Sequence, residues 1–159
     1  MPARAVEALI FDRLRRLLLH RRGQSAADAV GMLEGIGGAV RPKEGLRCAL
    51  RRELCEEIGA QCIVHVAGRL FRKKVISDRD GAIWTIDSYV CALISGDPIV
   101  AEPEKNDGFI RVTIGEAFDR QDLSSSTRIS LRALARKQAN LDQLLRPFFG
   151  EPGAAASSQ

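Results

Sequence analysis

Apolar residues recur every four positions through Leu46, Leu50, Leu54 and Ile58, with Ala49 beside them. Each helical residue advances by about 100°, so this spacing gathers them on one stripe and predicts a helix over residues 44–58. Gly59 follows the last apolar position, where a left-handed cap would end the helix. Elsewhere the period shortens. Residues 5–11, AVEALIF, alternate imperfectly and read as a strand, and Leu17–Leu19 opens a second after the charged turn Asp12–Arg16. Gly23–Asp28 is a polar loop. Beyond the helix, Ile63–Val66 and Leu70–Ile76 read as two strands. A turn ending in Asp80-Gly81 leads back into Ile83–Leu93, which is rich in β-formers. Glu102–Gly108 reads as a loop and Phe109–Val112 as a further strand. Ser124–Thr127 offers an N-cap for a second helix carrying Ile129, Leu131, Leu134 and Ala135, extending toward Leu141, Leu144 and Leu145. Strands before, between and after two helices predict an α/β fold, a mixed sheet with helices packed on it. The chain divides into one domain over 1–149 and a Gly/Ala/Ser-rich tail, Gly150–Gln159, expected to be disordered.

Composition narrows the class. The 159 residues are 45% hydrophobic and 28% charged, enough to build a core without disulfides. No apolar run approaches the roughly 20 residues of a membrane span, and the N-terminus lacks a secretory h-region, so a cytoplasmic protein without a membrane partner is expected. Cys48, Cys55, Cys62 and Cys91 form no C-x-x-C pair, which argues for reduced thiols rather than a zinc site. The net charge of +4 suits a phosphate-bearing partner. That partner could be a small nucleotide, RNA or DNA, although no RNP-type, C₂H₂ or zinc-knuckle pattern accompanies the charge and aromatics are few.

The stretch Gly38–Ala60 carries the chemistry: GAVRPKEGLRCALRRELCEEIGA. Glu53, Glu56 and Glu57 are spaced i, i+3 and i+4, within one helical turn on one side. On the helical wheel Glu57 points almost as Leu46 and Leu50 do, at the edge of the apolar stripe. Clustered carboxylates repel one another and resist desolvation. Arg52 can reach Glu56 but cannot neutralise three acids, whereas a hard divalent cation such as Mg²⁺ can. Gly35, Gly37 and Gly38 just upstream let backbone approach a metal or phosphate closely. The glutamates alone would equally fit a solvated helix face.

With its neighbours the stretch resembles the Nudix box, G-x5-E-x7-R-E-U-x-E-E-x-G-U with U aliphatic. Gly38, Glu44, Arg52, Glu53, Glu56, Glu57 and Gly59 occupy all seven fixed positions. Seven such matches arise by chance roughly once in 10⁹ placements. Leu54 fills the first U position, and Ala60 fills the last, smaller than usual. The motif covers 23 of 159 residues. LLLHRR at 17–22 is similar to the strand that precedes the box. Gly35-Ile36-Gly37-Gly38 and Glu102-Pro103-Glu104-Lys105 resemble segments of MutT-like members. Residues of the ADP-ribose, dinucleoside-polyphosphate, NADH and coenzyme A subclasses are not visible.

The resemblance implies a Nudix-type α/β/α sandwich with a loop–helix–loop catalytic motif, and Mg²⁺-dependent hydrolysis of a phosphoanhydride bond, with Mn²⁺ a substitute. The implied substrate is a nucleoside or deoxynucleoside triphosphate, oxidised forms such as 8-oxo-dGTP included. It implies Glu53, Glu56, Glu57 and the Gly37 or Gly38 carbonyl as metal ligands, Gly37 and Gly38 against substrate, Arg52 orienting a glutamate, and Glu44 bracing the loop. Glu104, with Glu102 behind it and Glu53 as the alternative, is the expected base. Trp84, Phe71, Phe109 and Tyr89 are candidates for stacking on the base, and Arg128, Arg132 and Arg136 for a solvated or steering face. A homodimer is compatible with the family. Two other readings stay open: a Nudix-fold binding module without hydrolysis, and an RNA 5′-end pyrophosphohydrolase.

Overall fold

The computed structural model describes residues 3–136 and 138–153. Its elements are β1 (Ala3–Phe11), β2 (Leu17–Arg22), β3 (Leu33–Glu34), β4 (Ile36–Ala39), α1 (Leu46–Ile58), β5 (Ile63–Ile76), β6 (Ile83–Ser95), β7 (Asn106–Val112), α2 (Ile114–Asp119), α3 (Ser125–Ala135) and α4 (Gln138–Phe149).

β1 explains why its pattern alternates imperfectly. It lies inside a seven-stranded mixed sheet of order β3-β2-β1-β6-β5, with β4 added to β1 and β7 to β2. It pairs antiparallel with β2 and β4 and parallel with β6. Val6, Ala8 and Ile10 point to one face, where they meet Ala49, Leu50, Leu54 and Ile58 of α1. Leu9 and Phe11 point to the other, where Leu131, Leu134, Leu141 and Leu145 of α3 and α4 cover them. A strand buried on both faces reads as a nearly continuous apolar run. The result is an α/β/α sandwich. Each fully buried leucine in it contributes on the order of 2 kcal/mol through burial.

Several expectations are adjusted. α1 starts at Leu46 with Gly45 at its N-cap, so Glu44 stands in the loop before the helix. The two strands expected over 63–76 are one, β5, whose register shifts between Val66 and Gly68 and between Arg69 and Phe71. Gly68 sits at the former of these, where a Cβ would lie 2.8 Å from Leu144, so α4 approaches there closely. The single second helix is two, α3 and α4. α2 precedes them, its N-terminus closed by a capping box between Thr113 and Glu116. Arg128 is not a free surface charge, because its guanidinium donates to the Phe118 and Arg120 carbonyls at 3.1 and 2.6 Å. Tyr89 belongs to the core, with Phe109 packed against the same cluster. Cys48 and Cys55 are exposed and Cys91 is buried; all four thiols are free. The expected tail begins with an exposed turn at 150–153, and 154–159 lie outside the described residues. Among the described residues no helix is long and apolar enough to cross a membrane.

Candidate active site

Arg52 is the hub of the glutamate cluster. Its Nε and Nη2 donate to the two oxygens of Glu44, both at 2.9 Å, a bidentate fork of the strong kind. Nη2 also donates to the Ala39 carbonyl at 2.9 Å, and Nη1 to Glu53 at 2.6 Å and Glu56 at 3.1 Å. Glu44 in turn accepts the Arg41 N–H at 2.9 Å, and the Arg52 guanidinium pulls its carboxyl down to about 2. One arginine thus ties the loop after β4 to the exposed side of α1. The outer glutamate, Glu56, also pairs with Arg41 at 3.2 Å.

Glu57 has no such partner. It is half-buried and accepts the Gly37 N–H of β4 at 3.1 Å. Burial pushes its carboxyl up to about 8, against the Gly37 hydrogen bond and with the Glu53 charge adding to the rise. Glu53 is the most buried of the three, at 9% exposure, although the helical wheel puts Glu57 closer to the apolar stripe. The cause is β4: a Cβ on Gly38 would lie 2.5 Å from the Glu53 carboxyl carbon, so the glycine strand presses directly on that side chain. The donor set is therefore all oxygen, rich in carboxylate and short of cations around Glu57, which fits a hard divalent ion. Among the described residues these side chains have not converged into a three-carboxylate cage. Arg52 holds Glu53 and Glu56 instead.

The protonation of Glu57 makes a measurable prediction. A carboxyl raised in the folded state stabilises fully below its unfolded value of 4.5, and that contribution is lost as pH rises through about 8. His20, buried in β2 and lowered to about 4 by burial, acts oppositely but only below its ordinary 6.5. Between pH 6.5 and 8 the melting temperature in EDTA is expected to fall with rising pH. The fall should be smaller in Glu57→Gln, and an equal slope in both proteins would remove Glu57 as its cause.

Beside the carboxylates a cleft of about 330 Å³ opens on the opposite face of the sheet. Ala5, Ile86 and Trp84 lie along its sheet side, Gly37 and Gly38 along the catalytic side, and Ser124–Ser126 at the start of α3 opposite. Of the aromatic candidates only Trp84 lines it. Arg22 and Glu34 also line it, 3.5 Å apart, and burial raises the Glu34 carboxyl. Neither stands out in the sequence, although Glu34 directly precedes the glycine run.

The loop carrying Glu102 and Glu104 folds back onto the end of β2. The Glu104 carbonyl accepts the Ser25 N–H at 3.0 Å, and the Lys105 carbonyl that of Gly23 at 2.7 Å. Lys105 donates to Glu102 at 2.8 Å and also feels the Glu56 and Glu53 charges, so the loop lies within electrostatic reach of α1. The Glu104 side chain is exposed.

Comparison with known proteins agrees with this geometry. The NUDIX domain model matches residues 1–134. A MutT NUDIX hydrolase from Burkholderia pseudomallei superposes with a TM-score of 0.73 at 27% identity, over 84% of this chain and 98% of that one. The E. coli ORF135 protein gives 0.65 at 26%, covering 87% and 91%. The MutT protein of Methanosarcina mazei Go1 shares the fold, with 0.67 at 20% over 86% and 96%. No curated protein matches the chain. The chain belongs to the NUDIX family. It is a Nudix hydrolase, an enzyme whose family acts on phosphoanhydride bonds of nucleoside-diphosphate-linked substrates.

Proposed function

We propose that this enzyme hydrolyses nucleoside or deoxynucleoside triphosphates, oxidised ones such as 8-oxo-dGTP among them, in the manner of MutT-like relatives. The observation that carries this reading is the continuity of the cleft with the glycine strand. An apolar floor bearing Trp84 suits a base, and it runs into Gly37 and Gly38, whose strand abuts Glu53 and Glu57. Glu53, Glu56, Glu57 and a Gly37 or Gly38 carbonyl would hold Mg²⁺, or Mn²⁺ in its place. When bound, such an ion neutralises phosphate charge and acidifies a coordinated water. Arg52 would hold Glu53 and Glu56 in orientation, and Arg22 would meet a phosphate at the cleft edge. Glu104 would serve as the base from outside the metal-binding set, with Glu53 the alternative.

A nucleotide screen with Mg²⁺ and Mn²⁺, with products identified by mass, tests the substrate class. Release of pyrophosphate with a nucleoside monophosphate is the expected outcome. Hydrolysis confined to triphosphorylated RNA would favour an RNA 5′-end enzyme, and nucleotide binding without turnover a binding module.

Two further results are expected. Millimolar Mg²⁺ should raise the melting temperature relative to EDTA, since a ligand that binds only the folded state stabilises it by mass action. An unchanged melting temperature would count against this carboxylate set as the metal site. Glu104→Gln should lower kcat with little change in apparent Mg²⁺ affinity, whereas Glu53→Gln should alter both. A normal kcat and an unchanged acidic limb in Glu104→Gln would transfer the role of base to Glu53.

A further inference from the structure

A buried ionic cluster sits under the cleft. Lys73 of β5 and Glu7 of β1 are paired at 2.9 Å, their side chains 3% and 6% exposed. Lys73 Nζ uses all three of its hydrogens: it donates to Glu7 Oε2, to the Ser126 carbonyl at 2.6 Å and to Ser130 Oγ at 2.7 Å. Glu7 Oε2 also accepts from Ser88 Oγ at 2.7 Å and from Ser130 Oγ. Glu7 Oε1 accepts from Thr127 Oγ1 at 3.2 Å, and that same hydroxyl accepts the Gly35 N–H at 3.0 Å.

Such a pair is a poor stabiliser on general grounds, because desolvating two charges offsets most of their attraction. Apolar residues of equal volume are often as good or better. What this pair does is connect. Through Ser126, Thr127 and Ser130 it fixes the first two turns of α3, whose leading serines, Ser124–Ser126, form one wall of the cleft. Through Thr127 and Gly35 it reaches the strand whose Gly37 N–H holds Glu57. Its anchoring strands, β1 and β5, flank β6, which bears Ile86 and Trp84 of the cleft floor. One rigid cluster therefore sets the gap between wall and floor.

We propose that Glu7 and Lys73 are positioning residues for the nucleoside end of the substrate, setting the width of the cleft where the base is gripped. This rests on reading the cleft as the nucleotide site. The effect should appear in recognition of the base and not in recognition of the phosphates.

The chain has one tryptophan, Trp84, so its fluorescence reports on this cleft alone. Binding is measured with a non-hydrolysable nucleoside triphosphate and with base-free ribose 5-triphosphate, both with Mg²⁺. In Glu7→Gln/Lys73→Met, which leaves no unpaired buried charge, the Kd for the nucleotide is expected to rise about tenfold while that for the base-free ligand changes less than about twofold. Thr127→Val should move the nucleotide Kd the same way, and Thr127→Ser should restore it, a rescue that general loosening of the fold would not give. If the double variant does not fold, the Thr127 pair decides. Unchanged nucleotide affinity in the folded variants, or an equal loss for both ligands, overturns the proposal. So does a wild-type protein that binds the nucleotide no better than the base-free ligand. Wild-type binding without turnover would instead remove the catalytic reading and leave this comparison standing.

Discussion

Glu57→Gln is expected to lower kcat by at least about 10²-fold while the protein stays folded. The fold survives because glutamine keeps the oxygen that accepts the Gly37 N–H, and the substitution removes a charge that burial disfavours. Activity falls because the amide is a far weaker ligand for a hard cation than a carboxylate. Glu57 is also the one of the three helix glutamates to which no arginine donates among the described residues, so its oxygens are the freest to take a cation. Glu56→Gln should show a loss of the same order, although Glu56 would first have to leave Arg41 and Arg52. Steady-state turnover at saturating Mg²⁺ decides: wild-type kcat in either variant would remove that residue from the metal site.

Gly37→Ala should be still more damaging, and in a different way. Its Cβ would lie 2.0 Å from the Val6 carbonyl oxygen and 2.9 Å from the Glu7 Cα. These are backbone atoms of β1 and cannot swing aside, so β4 must peel from its partner. That would cost the β1–β4 pairing and loosen Ile36, which is fully buried. Overpacking of this kind costs roughly 1–3 kcal/mol or more. Gly38→Ala is the informative contrast, since the atoms nearest its Cβ are the carboxylate end of the Glu53 side chain and not backbone. The first variant should lose both stability and turnover, and the second turnover alone. Denaturant unfolding alongside activity separates them, and a Gly37→Ala protein as stable as wild type would show that β4 is not held as tightly as its contacts require.

What could be read from the sequence was what is local. The Leu46–Ile58 stripe, the closing Gly59 and the carboxylate spacing all depend on neighbours within a few turns, and α1 appears almost where they put it. β3 and β4 escaped because they span two and four residues and β4 contains two glycines, so they carry no usable alternation. β5 reads as two strands in the sequence because its register shifts around Gly68 interrupt the period. α2 spans six residues, too short for a helical stripe, and its one sequence signal is the capping box of Thr113 and Glu116. The buried polar residues were invisible for a stronger reason. Lys73 looks like an ordinary strand lysine until Glu7, 66 positions away, is set beside it. Arg52 is the exception: its links to Glu53 and Glu56 are to helical neighbours, and its fork to Glu44 and its bond to the Ala39 carbonyl span the loop.

The parallel pairing of β1 with β6 bears on how the chain is made. Ala3 lies beside Trp84 and Phe11 beside Ala92, a separation of about 80 residues, and β1 is the strand on which both apolar clusters are built. Ribosomes add roughly 5–20 residues per second, so the first strand must wait several seconds for its neighbour to emerge. During that interval β2, β4 and α1 can shelter one face and the edges of VEALIF, but the face that α3 and α4 cover stays bare. A nascent chain arrested before residue 95 should therefore be open to protease and bound by chaperones, and become resistant only after β6 has left the exit tunnel.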